Sequence, residues 1–256
     1  VDPRDGSIYS CSEDRTIRKW SIGSDRDEVT VPAAGVGFWR TNDPIRCFDR
    51  AAGKLRLVDP ADGSTYLSLD GMSEPLPHVV LPPDRRFVVL AWKKHPARLE
   101  VRETRGGQVL ASREDLPIDP WFLLVDAAGT IAGLAYGDGA IRLFALPELG
   151  DRGTIETRAR LDYAVFSQDG ATLAITHHPS GLRAYRTADR MPISDFETRG
   201  GMPIYPTFSA DGRIVHSLNY VEANLNQWDV ATGRLLRVDP IECPMYLVGI
   251  PGSERL

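Results

Sequence analysis

Runs of apolar and aromatic residues, many alternating with polar ones, recur along this chain and are broken by turn-forming residues. Residues 204–209 read as a strand, Ala210-Asp211-Gly212 as a turn and 213–220 as a second strand. Val221-Glu222-Ala223 turns the chain into a third strand at 224–230, and Ala231-Thr232-Gly233 turns it into a fourth at 234–238. Gly accepts positive φ without a Cβ clash and Asp bonds its own backbone, so Asp-Gly and Thr-Gly suit those turns. β-branched and aromatic residues between such breakers predict an antiparallel meander.

The same pattern predicts four more units. Their strands fall at 36–40, 45–50, 54–58 and 64–69; at 78–81, 87–93, 98–102 and 108–112; at 121–125, 130–136, 140–145 and 154–157; and at 163–167, 172–177, 182–186 and 192–196. In the fourth unit a longer connection is expected over 147–153. The ends read as partial units, with strands at 7–11, 16–21 and 28–31 and a final one at 245–250.

Two landmarks show that these units are repeats. Trp20, Val58, Val101, Phe144, Tyr185 and Trp228 recur at separations of 38, 43, 43, 41 and 43. The turn positions Gly6, Pro44, Arg85, Gly129, Gly170, Gly212 and Gly252 recur at 38, 41, 44, 41, 42 and 40. A period of roughly 40 to 45 residues with four strands is the signature of a β-propeller blade. The expected fold is therefore all-β, one domain over 1–256, with blades near 1–34, 35–73, 74–116, 117–160, 161–198, 199–240 and a partial 241–256. About six blades result, five complete. Either the terminal pieces share one sheet and close a six-bladed ring, or the chain is an excerpt of a larger, seven-bladed parent.

Composition narrows the function. Apolar content of 42% and charged content of 25% are those of an ordinary globular protein. No apolar run approaches the roughly 18 residues of a membrane span. A net charge of −5 offers no basic footprint for nucleic acid. Cys11, Cys47 and Cys243 are odd in number and lack CxxC spacing, so neither a disulfide framework nor a zinc site is indicated. No targeting signal is legible, and a cytoplasmic setting is the default expectation.

The stretch Ser10-Cys11-Ser12-Glu13-Asp14-Arg15-Thr16-Ile17-Arg18-Lys19-Trp20 resembles the centre of a WD repeat. Residues 137–144 and 224–229 do so as well. WD-repeat proteins are rigid propellers that generally bind partners and lack an active site, and the resemblance implies the same here. In that family a turn Asp, a third-strand Trp, a second-strand hydroxyl and the His of a Gly-His pair form a hydrogen-bonded network. Asp14 with Trp20, Asp138 with Phe144 and Glu222 with Trp228 keep its spacing, Ser10 matches the hydroxyl, and Tyr185 holds the aromatic position in the fifth unit. No Gly-His pair occurs, so these blades are expected to rest more on apolar packing.

In such a propeller the turns between second and third strands lie on the face that most often meets partners. This makes Arg15, Trp92, Lys93, Lys94, His95, Tyr136, His177, His178 and Tyr220 the candidate partner-binding residues. Trp92-Lys93-Lys94-His95 combines an aromatic with cations, which suits another protein or an acidic peptide. The competing reading is a half-buried Trp packed on the next blade beside solvated lysines. Serine and aspartate pairs such as Ser167 with Asp169 are explained by the repeating turn, and no nucleophile elbow accompanies them. The function expected is a non-catalytic protein-interaction scaffold, a module of a larger signalling protein, without cofactor. The alternatives are a six-bladed enzyme or a small-ligand or metal binder using the central channel, with His177, His178 or Asp126 as suspects, and a spacer for a neighbouring domain.

Overall fold

The structure, a computed structural model, describes residues 53–58, 65–70, 77–82, 84, 86–92, 97–117, 119–179, 181–198, 201–219 and 221–240. Of the strands at 8–11, 16–20, 27–32 and 45–49, and of Val58 and Tyr66, it describes the backbone alone. The secondary structure among these residues is all β.

β1 (Ile8–Cys11), β2 (Thr16–Trp20) and β3 (Asp27–Pro32) form a first, three-stranded sheet, and β4 (Ile45–Asp49), β5 (Lys54–Val58) and β6 (Thr65–Leu69) a second. Four four-stranded sheets follow. The third comprises β7 (His78–Val80), β8 (Phe87–Trp92), β9 (Arg98–Glu103) and β10 (Val109–Arg113). β11 (Phe122–Val125), β12 (Ile131–Ala135), β13 (Ala140–Ala145) and β14 (Gly150–Glu156) make the fourth. The fifth holds β15 (Leu161–Phe166), β16 (Thr172–His177), β17 (Gly181–Arg186) and β18 (Pro192–Asp195). The sixth holds β19 (Pro203–Phe208), β20 (Ile214–Asn219), β21 (Asn224–Asp229) and β22 (Leu235–Pro240). Every sheet is a meander of sequential antiparallel neighbours.

The predicted strands agree with these to within a few residues, with one clear correction. The fourth strand of the fourth unit begins at Gly150, inside the expected 147–153 connection, because β14 pairs with β13 through a bulge between Arg142 and Phe144. The extra residue bends the strand, leaves Arg152 and Gly153 unpaired in the bulge and puts polar Asp151 opposite Phe144 at an exposed edge. The strands expected at 36–40 and 245–250 lie outside the described residues.

Each apolar core lies between consecutive sheets. Leu55, Leu57, Leu67 and Leu69 meet Val79, Val88 and Leu90 between the second and third. Val89, Leu99 and Val101 meet Leu134 and Phe144 between the third and fourth. Ile141, Leu143 and Ile155 meet Leu173, Ile175 and Tyr185 between the fourth and fifth, and Ala184 and Phe196 meet Val215 and Trp228 between the fifth and sixth. Central strands such as β8 and β12 are buried on both faces and therefore read as continuous apolar runs, without alternation. First strands adjoin first strands: β7 lies beside β11, β11 beside β15, and β15 beside β19. This is a propeller-like arrangement, in which consecutive sheets from the second to the sixth pack on one another.

The turns after first strands interlock at one end of the sheets. Asp126 is buried, with Oδ1 accepting from Thr130 N and Ile131 N at 2.7 Å and Oδ2 from Thr130 Oγ1 at 2.8 Å. A Cβ on Gly170, at φ +69°, would stand 2.7 Å from Asp126 Oδ2, so the next sheet's turn closes over the carboxylate. Ser167 with Asp169 and Ser209 with Asp211 make equivalent hydroxyl–carboxylate turns at 2.6 and 2.7 Å.

Candidate functional site

Antiparallel order gathers the turns between second and third strands at the other end, together with the connectors leading to the next sheet. Hydrogen bonds tie these two sets of loops to each other. His178 N donates to Arg160 O at 2.9 Å and Thr157 N to Gly139 O at 3.1 Å. The buried Thr157 hydroxyl donates to Gly139 O at 3.0 Å and to Ala159 O at 2.9 Å. Gly139 has φ +102°, and a Cβ there would collide with the Ala159 carbonyl, so only glycine lets this turn and its connector meet. In the sixth sheet the buried Asn219 accepts from Met202 N, Val221 N and Glu222 N, while Glu222 Oε2 accepts from Asn219 and Asn224 at 2.9 and 3.1 Å.

The candidate residues separate on this framework. His178 is exposed at the turn after β16. Trp92 is half-buried against the core between the second and third sheets, with the Arg98 guanidinium 4.3 Å from its ring centroid, so it follows the packed-tryptophan reading. Tyr136, expected on the presented face, is buried in the core between the third and fourth sheets. Its hydroxyl has no hydrogen-bond partner, and burial pushes its pKa up to about 12. Lys93, Lys94, His95, Arg15, Tyr220 and Asp14 lie outside the described residues, as does the side chain of Trp20. Asp138 is exposed and accepts from Ala140 N at 3.0 Å, whereas Phe144, Tyr185 and Trp228 are buried.

His177 is half-buried, its ring lying where a Cβ on Gly181 would be, and its Nδ1 has no partner. Burial first, and Arg183 second, hold the imidazole below its ordinary pKa; burial does the same to His216. Each folded form favours the neutral ring. Its contribution to stability is intact above the ordinary histidine value and is lost as pH falls through the depressed folded value. Urea unfolding should therefore show a drop in stability between about pH 7.5 and about pH 5, above the range where carboxylates titrate. A His177→Asn/His216→Asn double variant should lose less over that interval. Gly181→Ala should press the imidazole toward water, and proton NMR should find His177 titrating closer to an ordinary histidine.

Sequence reasoning passed over Trp121, which is 36% exposed. Its indole lies against Gly137, where a Cβ would stand 3.1 Å from Nε1, and Arg160 Cζ is 4.9 Å from its centroid. Trp121 was legible only as the start of a strand, while its neighbours come from a turn and a connector further along the chain. Val221, 73% exposed, was likewise legible only as a turn residue. Among the described residues no group of three or more His, Cys, Asp and Glu side chains is arranged to hold a metal ion. Nor does any helix among them have the length and apolarity to cross a membrane. Asp126 spends its carboxylate on its own turn.

No family model and no curated protein matches the chain. Solved structures do. KlHsv2, a Kluyveromyces Hsv2 protein solved with its loop 6CD replaced by a Gly-Ser linker, superposes with a TM-score of 0.72 at 11% identity, covering 93% of this chain and 83% of that one. The computationally designed Ika8 protein superposes with a TM-score of 0.69 at 18% identity, covering 91% of this chain and 71% of its own. At such identities the likeness concerns the fold alone, which is all-β and propeller-like.

Proposed function

We propose that this chain is a divergent WD-repeat propeller of about six blades that acts as a non-catalytic protein-interaction platform, a module of a larger signalling protein. The observation carrying the reading is the pinning of second-to-third-strand turns to connectors through Thr157, Arg160 and Asn219. A partner meeting that end encounters loops already ordered, so little conformational entropy is lost on binding. The interior polar groups support the same reading: Asp126, Ser167 and Asn219 are spent on turns. The six sheets and the buried third-strand aromatics Phe144, Tyr185 and Trp228 favour the blade count and family.

Affinity capture tests the proposal. Proteins retained by the immobilised chain should be lost from a Lys93→Glu/Lys94→Glu/His178→Glu variant and kept by one carrying Arg105→Glu and Arg234→Glu at the opposite end. Capture indifferent to both changes, or no capture combined with turnover of a small substrate, would overturn it and favour a channel enzyme.

A further inference from the structure

We infer that the corner formed by Trp121 and Arg160, with Arg158 in the same connector, docks an acidic segment of a partner protein, an inference that rests on the platform reading and locates its contact. Three observations converge there. The indole is both exposed and immobilised, since it lies on Gly137 with no room for a side chain beneath it. An aromatic held this way offers large contact area at small entropic cost.

The second observation is charge. Arg158 and Arg160 are exposed, and neither has an acidic partner among the described residues, whereas Arg98, Arg142 and Arg183 are engaged by Glu100, Asp151 and Asp195. The nearby Asp138 carboxylate is turned to its own backbone through Ala140 N. A guanidinium stacked on an indole keeps its N–H edge available for a bidentate carboxylate. Glu156 and Asp162 flank the two arginines in the chain without pairing to either, so both guanidiniums are open to the carboxylates of a partner segment.

The third observation is that the backbone carrying the two arginines is held in place. Arg158 sits at φ +56°, held between Thr157, whose hydroxyl bonds Gly139 O and Ala159 O, and Arg160, whose carbonyl receives His178 N. Two turns from different sheets thus brace the segment that carries both cations. The apolar indole beside Arg160 selects a peptide that also carries a leucine or other apolar side chain.

Fluorescence anisotropy with a labelled peptide alternating glutamate and leucine tests this directly. Saturable binding is expected, weakened by roughly tenfold or more in Arg158→Glu/Arg160→Glu and in Trp121→Ala, and weakened by added salt. A lysine–leucine peptide of equal length should not bind. Both arginines are exposed, so the charge-reversed variant should keep the wild-type thermal midpoint. Equal binding by that variant, or no saturable binding by the wild type, overturns the inference. If the charge-reversed variant instead retains every captured protein, this corner is excluded while the platform reading stands.

Discussion

Trp228→Ala should cost about 4 kcal/mol of folding stability, the largest effect expected of any single replacement described. The side chain is fully buried between the fifth and sixth sheets, set edge-on to Phe196 with ring centroids 6.0 Å apart. Its Nε1 donates to Glu197 O at 3.3 Å, so the indole ties a third strand to the connector of the preceding unit. Removal opens a cavity the size of an indole at a junction framed by two sheets, which cannot collapse without moving one of them. It also leaves the Glu197 carbonyl without that donor. Trp228→Phe keeps most of the volume and forfeits the bond, and should cost about 1–2 kcal/mol. Urea unfolding followed by circular dichroism measures both. Equal losses for alanine and phenylalanine would show that the hydrogen bond, not packing, secures the junction.

Glu100→Ala should cost about 3 kcal/mol. On β9, alternation puts Arg98, Glu100 and Arg102 on one face, and the glutamate is bound from both sides, by Arg98 Nε at 2.9 Å and Arg102 Nε at 2.7 Å. Its side chain is only 4% exposed, whereas the arginines retain 30% and 23%. Opposite Leu90 in the ladder, the triad lies on the sheet face that meets Leu67 and Leu69. Alanine strands two partly desolvated guanidiniums, and the cost falls at the lower end for a broken buried pair because both can still reach water. A triple Arg98→Met/Glu100→Leu/Arg102→Met variant removes every charge while keeping volume, and should recover most of the loss. A triple variant as unstable as Glu100→Ala would show that packing around this strand, rather than unpaired charge, is responsible.

The spacing from Asp138 to Phe144 and from Glu222 to Trp228 was visible in the chain, and the structure buries both aromatics. Their burial follows from local chemistry, since a bulky strand residue fixed at the same distance from each turn meets the same neighbour in each unit. The partner-facing set was less legible. Tyr136 stands at the end of a second strand like His177, yet it turns into the core beside the third sheet; strand position alone does not say on which side of the sheet the neighbour lies. Trp121 and Arg160 were unmarked because their meeting depends on a turn and a connector from successive units.

Strand order, the repeating unit and the turns, apart from the one before β14, could be read from the chain alone, because they depend on alternation, glycine conformation and side-chain bulk within a few residues. Which polar groups are spent on the fold, as Asp126 and Glu100 are, and which stay on the surface, as Arg158 and Arg160 do, was visible only once the sheets were assembled. The physical reason is that desolvation and ion pairing are set by whatever packs across from a residue, and in stacked sheets that neighbour comes from another repeat.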